Sequence, residues 1–320
     1  MTETEGCLPS RSLDLRIRLS LFALILAISF LASTQRARAQ ETLHAALHAQ
    51  LEADLQCVAE RLNGVMGYAI KDLSTGETFF LHPDTVFPQA SSIKLTILLE
   101  LMRQEQEGKL SLDEKHAIRR SETVGGGPIL YMLGEGTVTM TLRDLAVLMV
   151  VLSDNSATNI LIDRLGRDNI NASTARLGLK ETKLRRRMMD LEAARGGNEN
   201  VSTPREMLTL LENVRAGQAL DAKHTEEYLR LLKLPKESVF HKALPDTVPI
   251  ADKPGELEAV RCDTGIIEVP GHPFILSVMT TYLARDKEGE QAVEEIARVA
   301  YSYFDRLSRS GSYGRVISDK

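Results

Sequence analysis

The 320-residue chain contains no tryptophan, and aromatic residues make up only 5% of it. An indole-lined carbohydrate cleft or an aromatic platform for stacked bases does not fit that composition. A basic surplus is missing as well. Thirty-nine lysines and arginines face 44 aspartates and glutamates, a formal charge of −5, whereas a nucleic-acid binder carries a positive footprint. Cysteine is scarce: Cys7, Cys57 and Cys262 are too few for a disulfide framework, and none lies in a C-x-x-C pair. The longest apolar run, Leu19–Ala32, is too short for a membrane span. The remainder, 43% hydrophobic and 26% charged, is ordinary for a globular protein, and the length suits one large domain or two subdomains sharing a core.

The N-terminus reads as a leader. Arg11, Arg16 and Arg18 precede the apolar run, and Ala37-Arg38-Ala39 follows it as a small-residue cleavage pattern. This is the order of a secretory signal peptide, so residues 1–39 are expected to leave. The mature chain then carries a net charge of −7 and works in a periplasm or outside the cell. No membrane span is expected after cleavage. Cys57 and Cys262 could pair in an oxidising compartment, but both are read as small buried hydrophobes.

Periodicity assigns the mature chain in order. Leu43, Leu47, Leu51 and Leu55 recur at i+4 and predict a helix over 41–62. Residues 67–73 and 78–81 read as strands joined by the hairpin signal Ser74-Thr75-Gly76-Glu77. Helical patterns follow at 92–107, 141–152 and 155–165. Residues 247–251, 258–269 and 274–282 read as strands, and 289–307 as a last helix. Strands at both ends with helices between them, and no alternation of the two, exclude a doubly wound parallel sheet. The expected fold is α+β: an antiparallel sheet formed from both chain ends with flanking helices, plus an inserted helical subdomain. The sheet part spans about 40–90 and 241–307 and the helical part about 91–240, within one domain of 40–307. Residues 308–320 read as a mobile tail.

Three short motifs carry chemistry. Ser91-Ser92-Ile93-Lys94 opens a helix, so serine and lysine share one face, and a desolvated lysine can act as base for a serine nucleophile. Ser153-Asp154-Asn155 joins two helices; its hydroxyl could relay a proton and its amide could hold a carbonyl, while Asp154 and Asn155 also read as a helix N-terminus. Lys253-Pro254-Gly255 ends a strand-like run. Its lysine supplies positive charge and its glycine allows close backbone approach, though Pro-Gly is also an ordinary turn signal.

In this order and spacing the motifs resemble the class A β-lactamase and penicillin-recognising serine hydrolase family, across the whole mature chain. The resemblance implies that Ser91 is acylated, Lys94 is its base and Ser153 passes the proton to the leaving nitrogen. Asn155 would bind the substrate amide, and Lys253 would hold a substrate carboxylate and bias Lys94. Gly255 would let substrate approach, and the backbone N–H groups of Ser91 and Glu256 would form the oxyanion hole. The implied partner is a small β-lactam or a peptidoglycan peptide, met by a monomer without cofactor, metal or nucleic acid. The alternatives are a slowly deacylating penicillin-binding or D-Ala-D-Ala peptidase-like enzyme, and a non-catalytic binding protein on the same fold.

Two departures from the family pattern stand out. Pro254 replaces a hydroxyl residue. The family's hydrolytic loop carries a glutamate and, four residues on, an asparagine. Counting back without gaps from Thr203-Pro204 places Arg187 and Leu191 there, with Asp190 and Glu192 nearby but out of register.

Other patterns are weaker. Asp263-Thr264-Gly265 occurs once, where an aspartic protease needs two such aspartates. His44 and His48 lack a third metal ligand. Gly125-Gly126-Gly127-Pro128 lacks the Lys-Ser/Thr of a phosphate loop and reads as a turn.

Overall fold

The structure is a computed structural model that describes residues 43–127, 129–133, 138–311 and 313–316. The expected leader and Pro128 lie outside the described residues. Leu51–Arg309 form one compact unit. Of the other unit, residues 43–50 are helical and Ser310 and Val316 form an isolated antiparallel bridge. No helix among the described residues is long and apolar enough to cross a membrane.

The compact unit opens with a helix ending at residue 61 (α1), which buries Leu51, Leu55 and Val58. Strands β1 (Val65–Asp72) and β2 (Thr78–Leu81) follow as the expected hairpin. After the short β3 (Phe87–Pro88), a 3-10 turn (Ala90–Ile93) leads into α2 (Lys94–Gln106), whose first nine residues are all buried. The inserted part continues with β4 (Lys115–Ala117), β5 (Thr139–Thr141), α3 (Leu142–Val151), α4 (Asn155–Leu165) and α5 (Arg167–Arg176). It ends with α6 (Leu191–Arg195), β6 (Val201–Ser202), α7 (Pro204–Arg215) and α8 (Ala222–Leu232). The chain then returns through α9 (Val239–Ala243) to β7 (Ile250–Leu257), β8 (Val260–Ile267), β9 (Phe274–Thr281) and α10 (Asp286–Arg309).

The strands from both ends form one antiparallel sheet in the order β2-β1-β9-β8-β7. β9 lies at its centre, and its nearly continuous apolar run, interrupted by the buried Ser277, follows from burial on both faces. On one face Phe274 stacks on Phe304 of α10 at 4.4 Å. On the other, α7 packs against β1 and β9. Its start is set by Thr203, which caps the Glu206 N–H, and by Pro204 in the first turn.

Two expectations change. The strand expected at 247–251 runs instead over Ile250–Leu257, so Lys253-Pro254-Gly255 lies within β7 and is not a turn. β7 is an edge strand, and an edge tolerates the missing proline N–H. Cys57 is exposed on α1 while Cys262 is buried, and both are free thiols, so they neither pair nor share a buried role.

Candidate active site

The three motifs converge: two sit at junctions of elements, and the third lies within the edge strand β7. The 3-10 turn carrying Ser91 is pinned on two sides. Gln89 N–H donates to the Asn200 carbonyl at 2.8 Å, and the Ser92 hydroxyl donates to the Lys253 carbonyl at 2.9 Å. Ala90 is held at φ 46°, a conformation L-residues rarely adopt. Ser92 is therefore spent on structure, while Ser91 is half-exposed and lines two cavities. Gly255 is required by the same turn. A Cβ there would come within 2.7 Å of the Gln89 carbonyl oxygen and 2.8 Å of Ser92 N. The close approach expected at Gly255 is thus made by the chain's own turn.

Ser153 links α3 to α4 at φ 53°. Asp154 behind it is fully buried and caps α4, accepting from Ala157 N–H at 2.9 Å and Leu130 N–H at 3.2 Å. This fixes the kink that turns both Ser153 oxygens toward α2. Lys94 Nζ donates to the Ser153 carbonyl at 2.8 Å and lies 2.9 Å from Ser153 Oγ and 3.2 Å from Asn155 Oδ1. From β7, Lys253 Nζ reaches the same Oγ at 3.2 Å and the Pro254 carbonyl at 3.0 Å. With two lysines on its oxygen, the Ser153 hydroxyl has its own proton left to give. Asn155 Nδ2 donates to the Gly126 carbonyl at 3.0 Å, leaving its second N–H for a ligand.

Both lysines are buried, and the cost of a desolvated charge lowers both. Lys94 is held well below the usual lysine range, first by burial and then by the charge of Lys253, against a smaller opposing pull from Asp154. Burial brings Lys253 down to about 8, with Asp252 and Asp263 opposing. A neutral Lys94 has a lone pair for the proton of a neighbouring nucleophile, so the arrangement suits base-assisted attack by Ser91.

Behind β7, Asp252 and Asp263 are fully buried. Burial raises Asp252, but the nearby His241 imidazole, 3.6 Å away, and the Lys236 charge outweigh it and leave it low. Lys236 Nζ lies 2.8 Å from Asp252 Oδ1. Burial and then the Asp252 charge push Asp263 well above the carboxylate range. Asp263 lines neither cavity at Ser91 and accepts from Phe240 N–H at 3.2 Å. The Asp-Thr-Gly motif is therefore part of the sheet's support.

The loop leading to α6 departs from the ungapped count. Arg187 points away from Ser91 and pairs with Asp163 at 3.0 Å, both half-exposed. Asp190 caps α6 through Ala193 N–H. Neither Asp190 nor Glu192 lines the cavities at Ser91. Met188, Met189 and Leu191 do, around a cavity of about 220 Å³ beside Ser91 and Asn155. Met188 is fixed through its backbone: its N–H donates to Asn159 Oδ1 at 2.8 Å and its carbonyl accepts from Asn159 Nδ2 at 3.1 Å. Asn200 closes the loop by accepting the N–H groups of Arg185 and Arg186 at 2.8 and 3.0 Å. A side chain at Gly126 would meet Met189 Sδ at 2.9 Å, so that thioether lies against the Asn155 side of the site. The sequence reading missed Met188, Asn159 and Asn200, whose roles are backbone contacts with no local motif.

The second cavity, of about 820 Å³, is bordered by Ser91, Ser153, Asn155, Lys253, Pro254 and Glu256, together with Lys236 and Glu237. Every residue expected at the site except Lys94 and Gly255 lines it; these two lie beneath.

The family model described as "Beta-lactamase enzyme family" matches residues 50–304. The chain is 27% identical over 287 residues to Beta-lactamase SME-1 of Serratia marcescens, covering 87% of this chain and 97% of that one. It is 26% identical to Beta-lactamase CTX-M-97 of Escherichia coli over 80% and 89% of the two chains. Among solved structures, a beta-lactamase from Sphaerobacter thermophilus DSM 20745 superposes with a TM-score of 0.73 at 28% identity, covering 79% of this chain and 96% of that one. The structure of PBP-A superposes with a TM-score of 0.74 at 25% identity, over 81% and 97%.

Proposed function

Since the chain belongs to the beta-lactamase enzyme family, we propose that it is an exported serine hydrolase that β-lactams or related acyl donors acylate on Ser91, and that it releases the acyl group slowly. The observation that carries this reading is Ser153 Oγ held between Lys94 and Lys253 at 2.9 and 3.2 Å, beside Ser91. Neutral Lys94 takes the Ser91 proton as Oγ attacks the carbonyl carbon. The backbone N–H groups of Ser91 and Glu256 stabilise the developing oxyanion. As the C–N bond breaks, Ser153 gives its proton to the leaving nitrogen and is resupplied by the protonated Lys94. The leader at residues 1–39 supports export.

Hydrolysis of the ester needs a base for water. Of the loop residues that line the cavity beside Ser91, Met188 and Met189 carry thioethers, which accept no proton at neutral pH, and Arg186 is paired with Glu199. The one carboxylate on that cavity among the described residues, Glu256, belongs to β7 and is exposed. This favours slow release over rapid β-lactam hydrolysis through Asp190 or Glu192. The intact Ser91, Lys94, Ser153, Asn155 and Lys253 argue against a non-catalytic binding protein. Intact-mass spectrometry after mixing with a penicillin tests the reading: a lasting adduct is expected on the native protein and none on Ser91→Ala. An unmodified native protein would rule out acylation.

A further inference from the structure

The Asp263-Thr264-Gly265 motif, unused in the chemistry above, lies on β8 directly across from the Lys253 segment of β7. Asp252 stands opposite Gly265, and Asp263 opposite Pro254. Side chains alternate along a strand, so Asp252 and Asp263 share the face of the sheet turned away from Lys253. There they are diagonal neighbours, within reach of each other. Gly265 leaves the room for this: a Cβ at that position would come within 2.6 Å of Asp252 Cβ. Both carboxyl groups are fully buried.

Asp252 Oδ1 lies 2.8 Å from Nζ of the buried Lys236 and 3.6 Å from His241 Nδ1. Asp263 Oδ2 accepts the Phe240 N–H at 3.2 Å. Asp252 Oδ2 and Asp263 Oδ1 remain, both buried and without a donor. Two ionised carboxylates so placed would repel, and one lysine balances only one of them. A proton on Asp263 Oδ1 removes the excess charge and gives Asp252 Oδ2 its donor. Burial and the Asp252 charge act on Asp263 in this sense, holding it well above the carboxylate range. The other groups nearby are engaged elsewhere. His241 Nδ1 lies 2.8 Å from Ser238 Oγ. Arg261 of β8 donates to the Leu257 carbonyl at 2.7 Å and pairs with Asp286 at 3.2 Å. Glu256, farther along β7, is exposed, and Cys262 carries a buried free thiol. The buried residues of α10, which packs on α9 and β8, include no acid or base apart from Tyr303.

We propose that Asp252 and Asp263 hold one proton between them, the Asp263 Oδ1–H donating to Asp252 Oδ2, and act as a positioning pair that keeps a single negative charge behind Lys253. Lys253 serves the reaction through its charge, so the role of the pair rests on the acylation reading above. With no charge behind it, the buried Lys253 ammonium would shed its proton closer to neutral pH, and Lys94 would lose the cation that helps to keep it neutral. With two charges, one carboxylate would stand buried without a counter-ion. The proton stays on the pair throughout, and no bond forms or breaks there.

Two NMR titrations test the proposal without an acyl donor. With isotope-labelled aspartate, the Asp263 Cγ signal is identified by its absence from Asp263→Asn. It is expected at the position of a neutral acid from about pH 5 to 8, where an ordinary aspartate is ionised. With isotope-labelled lysine, the Lys253 Cε signal, identified by its absence from Lys253→Met, is expected to titrate near pH 8. Asp263→Asn replaces the O–H with an amide N–H and should leave that midpoint in place. The double variant Asp252→Asn with Asp263→Asn removes the remaining charge and should lower the midpoint by about one pH unit, roughly tenfold in proton affinity. The alkaline limb of acylation by a penicillin should move with it. An Asp263 signal at the carboxylate position, or a midpoint that falls as far in Asp263→Asn as in the double variant, would overturn the shared proton. A midpoint unmoved in the double variant would overturn the positioning role. If the double variant does not fold, the Asp263 signal and the Asp263→Asn midpoint still decide. If the titrations come out as expected and no penicillin reacts, the acylation reading fails and the shared proton stands.

Discussion

The wall of the site built from α2, the α3–α4 junction and β7 differs in kind from the wall built from residues 184–200. The first presents Lys94, Ser153 and Lys253, a set of proton carriers, with the hydrogen-bonding amide of Asn155, fixed to regular elements and to one another. The second is equally well fixed, by Asn159, Asn200 and the Arg186–Glu199 ion pair at 2.8 Å; its polar members Arg186 and Asn200 are spent on that fixing, and its remaining residues at the cavity are Met188, Met189 and Leu191. Rigidity is common to both and chemistry belongs to one. On the proposed acylation, forming an acyl-enzyme and releasing it would have separate physical bases in this molecule and could be altered separately.

The largest expected effect falls on the first wall. Lys94→Ala removes the base and should slow acylation about 10³-fold or more, within the range for a positioned base and its proton relay. Stopped-flow acylation checks this, and unchanged kinetics would place the base elsewhere.

Lys253 comes next. Its pKa falls from an unfolded value near 10.5 to about 8 in the folded protein. Below pH 8 both states are protonated and the burial penalty, of about 3 kcal/mol, is fully present. Between pH 8 and 10.5 the unfolded state binds more protons, so this group's contribution makes stability rise with pH. Lys253→Met should accordingly raise unfolding stability at pH 7 by about 1–3 kcal/mol while impairing acylation. Chemical denaturation at pH 7 and 9.5 measures both effects. A destabilised methionine variant would mean that the buried ammonium is fully compensated. In the native protein the acylation rate should decline above pH 8 as Lys253 loses its proton. A rate that is flat from pH 7 to 9.5 would deny its charge a role.

On the second wall, Met188→Glu should accelerate deacylation about 10- to 100-fold, since it places a carboxylate beside Ser91. Burying the new charge should also lower stability. The smallest effect is expected at Arg187→Glu, which should leave deacylation unchanged and cost less than about 1 kcal/mol through the exposed contact with Asp163. If Arg187→Glu, and not Met188→Glu, restores turnover, the contrast between the walls is wrong.

That the motifs of Ser91, Lys94, Ser153, Asn155 and Lys253 would meet was legible because they are short patterns in which local spacing fixes direction. The sheet was legible for a related reason: the apolar run of β9 and the 67–81 hairpin are local patterns. The extent of β7 was not, because Pro254 carries a turn signal that only its place at the sheet edge overrides. The loop was misread at Arg187 because residues 184–200 have no periodicity to anchor a count. Their register is set by Asn159 and Asn200, which act on backbone groups distant in sequence.

The separation of acylation from release is tested most directly by burst kinetics with a chromogenic cephalosporin. The account predicts release of about one equivalent of chromophore per Ser91, followed by a slow steady state whose rate equals the decay of the acyl-enzyme. A fast steady state without a burst, abolished by Asp190→Asn or Glu192→Gln alone, would contradict it.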